Sequence, residues 1–461
     1  MSMLFNGLTG VVASQVALNT VSQNLANALT PNYTRQGVAL TAKASSNTAL
    51  SAGDGVAVTS LIRYSDSYKT QQMWRAASTK GQYEAAQTYL LQLEQVMGDA
   101  DGGINAALDG FFGALSAASV EPTSTPLRQQ IIESAKALGQ TVNNLSQIVA
   151  NQALAVRQQR AVAVDQVNSY IKEIAALNDK IAQSTGAGLN TSSLQDQRDA
   201  KIDQLSKLVG LQATQQPDGA INLSLKGGQP LVVGNRAATV TVDQGAQTLD
   251  VNFGTETFQL GAENWNGTLG GLAALERDVI APLDASIRGL AQVIAEKANA
   301  VLNSGFGTDG QAGADLFVFD GTSSAALLTI NAGITPAQLG LSGDAAKVGD
   351  SSKLQELIAL QHQSVNIYGA GNTGMVGSSV LLGDVYTQLV GKLGMYSQQN
   401  NASYETAQTV RDQSEANWRS TSGVNTDEEA VNLMQYQQMY QANMKVITVA
   451  NTLFDSLLQM R

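Results

Sequence analysis

Apolar residues recur every three to four positions over most of this sequence, the mark of helices with one buried face. The first run, residues 3–29, puts Leu4, Val11, Leu18 and Leu25 at one heptad position and Leu8 and Leu29 at the other, with Gln15 and Ser22 as polar exceptions. Pro31 is expected to end it. The last run, 427–459, repeats apolar residues seven apart at Leu433, Tyr440, Ile447 and Phe454, widened by Tyr436, Met444, Leu457 and Leu458. The chain therefore begins and ends on amphipathic helices.

Between them the pattern changes period several times. Short β-like runs, Val38–Leu40 and Val56–Ile62, flank the turn signal Gly53-Asp54-Gly55. Residues 64–100 read as helix with a break near Gly98, and 103–119 as a helix ending before Pro122. From Pro126, a good first helical residue, a stripe runs through Ile131, Leu138, Val142, Leu145, Val149, Val156, Val167, Ile171, Ile174 and Ile181. Unbroken, 126–184 would be about 90 Å long. Another helix, 192–208, stops at Gly210. Residues 211–261 alternate apolar and polar positions between turns at Pro217-Asp218-Gly219, Gly227-Gly228 and Gly234-Asn235, which predicts a small antiparallel insert. Helix returns over 269–302 with a kink or junction at Pro282. A Gly- and Asp-rich stretch, 303–350, precedes helices at 351–366 and 376–420.

The predicted fold is α+β and mainly α, with long coiled-coil-like terminal and stalk helices carrying a central β-rich insert. Its segments are a terminal helix and linker (1–62), a helical stalk in two parts (63–210 and 266–422), a β-rich outer domain (211–265) and a C-terminal helix (423–461). The simplest geometry is a hairpin of domains, with the β part at the far end and the termini side by side.

Composition narrows the functional classes. A formal charge of −11 and a pI near 4.7 oppose binding to phosphate backbones. There is no cysteine, which removes disulfides, thiolate metal sites and Cys nucleophiles. The one histidine, His362, lies in a helical pattern with no nucleophile elbow, so packing is its expected role. No stretch is apolar enough to span a bilayer. The first charged residue is Arg35, and the polar interruptions before it do not fit a secretory signal.

Candidate chemistry is sparse. Thr426-Asp427-Glu428-Glu429 reads as a capping box from Thr426 to Glu429, with acids at a helix N-terminus. Gly369-x-Gly371-x-x-Gly374 spells a dinucleotide fingerprint without the strand and helix context it needs. Asp309, Asp315 and Asp320 lack EF-hand spacing and read as Asx turns in a solvated loop. No catalytic, cofactor or metal residue is expected. An enzyme reading would have to be a carboxylate-based glycan hydrolase, but no acid pair stands out and aromatics are few.

Two terminal motifs go further. Ser22-Gln23-Asn24-Leu25-Ala26-Asn27 followed by Thr30-Pro31-Asn32-Tyr33-Thr34-Arg35-Gln36 resembles the N-terminal signature of the flagellar rod, hook and hook-associated proteins. The C-terminal Gly423-Val424-Asn425, Asp427-Glu428-Glu429, Tyr436-Gln437-Gln438 and Tyr440-Gln441-Ala442 are similar to the FlgK family of hook-associated proteins, as is Gly307-x-Asp309-Gly310-x-x-Gly313-x-Asp315-Leu316-Phe317. Asn32 departs from the glycine usual before the tyrosine, and the chain is short for this family.

The resemblance implies a structural, non-enzymatic role at the hook–filament junction, after export by the flagellar type III apparatus. It implies contacts with copies of itself in a ring, with the hook protein below, with the next hook-associated protein (FlgL) above, and with the export chaperone FlgN at the C-terminal helix. A rod or hook protein of the same axial family is the alternative, although helical 64–208 argues against it. Leu4, Leu8, Val11, Leu18, Leu25, Leu433, Tyr440, Ile447, Phe454 and Leu458 are the expected axial packing residues. Asn24, Asn27, Tyr33, Arg35, Gln36, Tyr436, Gln437, Gln438, Tyr440 and Gln441 carry the family motif. The uncharged N-terminal helix is expected to gain order as neighbouring copies cover it.

Overall fold

The computed structural model describes residues 2–44, 53–98, 103–243, 248–367, 374–375 and 379–459. The chain starts with α1 (Ser2–Ala26), a bulged hairpin of β1 (Gln36–Ala42) and β2 (Val56–Arg63), and α2 (Ser67–Met97). Helices α3 (Ile104–Ala118), α4 (Thr125–Gly186) and α5 (Ser192–Leu208) follow. Strands β3 (Leu211–Gln215), β4 (Ile221–Leu225), β5 (Pro230–Val233) and β6 (Arg236–Ala237) form one antiparallel sheet. A second sheet joins β7 (Thr239–Asp243), β8 (Thr248–Phe253) and β9 (Glu256–Gly261). Then come α6 (Gly267–Leu275), a π turn (Glu276–Ile280), α7 (Ala281–Asn303), β10 (Phe317–Phe319), β11 (Leu328–Ile330) and α8 (Ser352–Ala359). The chain closes with β12 (Ser364–Val365), β13 (Val380–Leu381), α9 (Val385–Ser422) and α10 (Thr426–Gln459).

The body has two hydrophobic cores, and α4 serves both. Ile131–Val156 of α4 joins Leu90, Leu93 and Met97 of α2, helices α3, α7 and α8, and the start of α9. Ala163–Ala175 of α4 joins Met73 and Trp74 of α2, helix α5, both sheets, α6 and Trp418 of α9. At 62 residues α4 is about 93 Å long, so one face supplies two layers of packing along its length. The two cores meet at the π turn. Pro282 supplies no N–H there and its ring crowds the carbonyl four residues back, and the wider turn relieves that crowding. Glu276 in this turn is buried and pairs with Arg157 (2.6 Å) and with buried Arg160 (2.8 Å), whose guanidinium lies over the Trp265 ring.

The β part is not at the far end. Helix α2 runs outward from the terminal pair and α4 runs back, so residue 211 returns to the root of α2. Gln71 donates to the Ala213 carbonyl there (3.4 Å), and Arg198 of α5 donates to the Gly219 carbonyl (2.6 Å). The order of elements did not specify the direction of the long helix, and that direction places the β layer beside the termini. The far end is built by α3, α7 and the Gly-rich stretch. That stretch is irregular yet held: Asn143 exchanges two 2.9 Å bonds with the Leu328 backbone, Asn299 bonds Leu316 and Phe317, and buried Arg128 donates to the carbonyls of Pro122, Pro336 and Leu339.

Two expected helices are shorter than predicted. Residues 379–384 form a strand end and a 3-10 turn, so the helix expected from 376 begins at Val385. The helix expected to reach 366 gives way to a 3-10 turn at Leu360–His362 and to β12. The first helix ends at Ala26, five residues before Pro31, in a run of turns. Asp309 and Asp320 accept bonds from the N–H two residues on, as Asx turns do. Of the glycine fingerprint, Gly369 and Gly371 lie outside the described residues.

Candidate assembly interface at the terminal helix pair

Helices α1 and α10 pair antiparallel in the single chain, without neighbouring copies. The contact face of α1 is not the leucine stripe. It is Gly7, Gly10, Ala13, Ser14, Ala17, Val21 and Asn24, all buried. A Cβ at Gly10 would run into the Asn443 side chain, and one at Gly7 would meet Ile447, so the small residues let the two helices approach closely. On α10 the facing positions are Glu429, Leu433, Tyr436, Tyr440, Asn443, Ile447 and Ala450, buried or half-buried.

The larger side chains are left outside. Leu4 and Leu8 are exposed (Leu8 at 48%), with Met3, Phe5 and Val12 beside them. Val11, Leu18 and Leu25 sit half-buried at the edge of the contact. On α10 every residue from 451 to 459 is exposed, Phe454 (60%) and Leu458 among them, because α1 does not extend far enough to cover them. Gln437, Gln438 and Gln441 also point away from the pair.

The N-terminal motif ties this pair to the body. The Asn24 side chain accepts from Gln36 N (3.0 Å) and Tyr33 Oη (2.9 Å), and donates to Gln36 O (2.8 Å) and Glu429 Oε2 (3.1 Å). Arg35 reaches Glu429 (2.7 Å) and Glu428 (2.8 Å), lies over the Tyr64 ring, and its N–H donates to the Ser422 carbonyl (2.8 Å). Asn27 stays local, bonded to Gln23 and Thr30. Asn32 has φ 62°, a left-handed conformation that asparagine tolerates and glycine takes freely, so the departure at this position preserves the turn.

The capping box is corrected. Asn425, not Thr426, caps α10, accepting from the N–H groups of Asp427 (3.0 Å) and Glu428 (3.4 Å). Glu429 is thereby free to turn inward, and its side chain is 1% exposed between Arg35 and Asn24.

Sequence reasoning missed the other half of this collar. Arg63 binds Asp196 (2.8 Å) and Asp199 (2.9 Å) of α5 and donates to Thr34 Oγ1 (3.0 Å), while Thr34 N donates to Asp196 (3.2 Å). Farther along, Arg411 of α9 makes a two-pronged pair with Asp203 (2.9 Å each). The available signal was Asp196 and Asp199, three apart on one helix face, in a chain with few charges. Burial works against the Arg63 guanidinium, but the two aspartates outweigh it and hold its pKa above the ordinary arginine value. Burial, then Asp196 and Glu429, push the Tyr33 phenol up to about 12.

This arrangement is a set of ion pairs and hydrogen bonds that ties the terminal pair to the body. Among the described residues, no group of three or more His, Cys, Asp or Glu is placed to hold a metal ion. No described helix is long and apolar enough to cross a membrane.

Comparison with known proteins agrees with the motifs. Residues 90–317 match the flagellar hook-associated protein FlgK helical domain, and 419–460 match the flagellar basal body rod FlgEFG protein C-terminal family. Flagellar hook-associated protein 1 of Salmonella typhimurium is 27% identical over 562 aligned positions that cover all of both chains. The Bacillus subtilis protein of the same name is 27% identical, covering 97% of this chain and 95% of its own. The flagellar hook junction protein FlgK from Burkholderia pseudomallei superimposes with a TM-score of 0.65 over 74% of this chain and 98% of its own, at 18% identity, and so shares the fold. A helical-domain match, a C-terminal match and full-length relatives converge: the chain belongs to the FlgK family of flagellar hook-associated proteins.

Proposed function

We propose that this chain is a non-catalytic axial subunit at the hook–filament junction, and that copies join through the outward faces of α1 and α10. The observation that carries the reading is the bare apolar surface of these two helices, Leu4, Phe5 and Leu8 on one and Leu453, Phe454, Leu457 and Leu458 on the other. Contact with water is unfavourable for that surface, and a neighbouring copy of the same pair offers a matching one. Leu18 and Leu25, with Leu433, Tyr440 and Ile447, would form the seam between the internal and the external contact. The hook protein below and FlgL above are the proposed neighbours along the axis. FlgN is the proposed chaperone, covering α10 before export through the type III apparatus.

The test is deletion of residues 1–30 or of 430–461. The body should keep its two cores and its unfolding transition, while incorporation into the flagellum is lost. A deletion strain that still built filaments would overturn the reading. A strain without the protein should release flagellin and hold no filament.

A further inference from the structure

The contact between α1 and α10 is nearly degenerate. Asn24 faces Glu429 and Gly10 approaches Asn443, so the antiparallel register places Ala17 opposite Tyr436. Gly10, Ala17 and Asn24 are seven apart, as are Gly7, Ser14 and Val21. On α10, Leu433, Tyr440 and Ile447 repeat at seven, and so do Glu429, Tyr436, Asn443 and Ala450. A slide of one heptad, about 10.5 Å, therefore sets small residues against half-buried α10 positions again almost everywhere along the pair. The exception is the end where Glu429 is buried. In one slipped alignment its carboxylate would face Ala17 with neither Asn24 nor Arg35 to bind it, and an unpaired buried charge is strongly disfavoured.

We propose that Glu429 is the register-setting residue of the terminal pair. Its carboxylate, held by Asn24 at 3.1 Å and Arg35 at 2.7 Å, selects one of several near-equivalent alignments. It thereby fixes how the outward faces of α1 and α10 are offset, which is the alignment a neighbouring copy must meet. This last step rests on the assembly reading above; the register itself is a property of the free chain.

The full chain has no cysteine, so introduced pairs report register cleanly. Gly10→Cys with Asn443→Cys reports the native alignment. Gly10→Cys with Ala450→Cys, or with Tyr436→Cys, reports a slide of one heptad in either direction. Under mild oxidation the native pair should close and the offset pairs should not. In a Glu429→Ala background, closure of an offset pair should rise at least about tenfold, the size expected for losing hydrogen bonds to a charged group. Glu429→Gln, which keeps an acceptor for Asn24, should fall between, and it serves as the second variant if Glu429→Ala lowers helix content. Unchanged offset closure in both variants would overturn the proposal. Incorporation into flagella separates the two layers. Slipped register with lost incorporation supports both, whereas slipped register with native incorporation leaves the lock standing and overturns its link to assembly.

Discussion

The terminal pair and the body are both built from long helices with apolar residues at helical spacing, and they orient those residues in opposite ways. In the body the large side chains go in: Leu93, Leu138, Ile171 and Ile174 are fully buried. In the pair the glycines, alanines and a serine of α1 go in, while Leu4, Phe5 and Leu8 of α1 and Phe454, Leu457 and Leu458 of α10 stay out. The body thus completes its packing within one chain. The pair closes only its narrow face within the chain and leaves its wide one exposed, the face proposed above for a neighbouring copy.

The largest effect that would test this contrast is at the seam of the two cores. Glu276→Ala should leave buried Arg160 without its carboxylate and cost about 3–5 kcal/mol in chemical denaturation. Leu138→Ala should cost about 2–5 kcal/mol, whereas Leu8→Ala should change the free chain by no more than about 0.5 kcal/mol while abolishing incorporation. Equal destabilisation by the two would break the contrast. Gly271→Ala drives a Cβ into the Gln82 carbonyl between α2 and α6 and should cost about 1–3 kcal/mol. Its counterpart, Gly10→Leu, should splay the terminal pair, read by helix cross-linking, and leave the unfolding midpoint of the body in place.

The smallest effect concerns pH. The Tyr33 pKa rises from 10.0 to about 12 in the folded chain. The stability it contributes is complete below pH 10 and is lost as pH rises through about 12. An ultraviolet tyrosinate titration should show a late-ionising phenol that Tyr33→Phe removes, beside the Tyr89 phenol that burial also raises. A Tyr33 that titrated at its ordinary value of 10.0 would show that the collar is open.

Much of the helical frame was legible, because long apolar stripes such as Ile131–Ile181 leave few alternatives. The 192–208 helix, the strand-rich 211–261 and the junction at Pro282 were legible from turn residues and proline chemistry. The direction of α4 was not, and with it went the place of the β layer. Periodicity marks a stripe on a helix without saying which partner receives it. The same limit explains the terminal contact: Leu4 and Leu8 were the conspicuous residues, but close helix approach favours Gly7, Gly10 and Ala17, which hydropathy hardly registers. Glu429 was visible only as an acid near a helix start. Its inward turn depends on Asn425 taking the cap, a competition between neighbours that spacing alone does not decide.

The shared helix α4 also has a mechanical meaning. A twist applied to the terminal pair passes through the collar at Arg35 and Arg63 into α5 and α9, and from there into the core beside them. Because α4 continues unbroken into the second core, it acts as a beam common to both, and neither core can turn without loading the other. A second link between the cores is the π turn at Glu276–Ile280, where Glu276 pairs with Arg157 and Arg160 of that beam. Strain entering at one end of the molecule is therefore spread along its length.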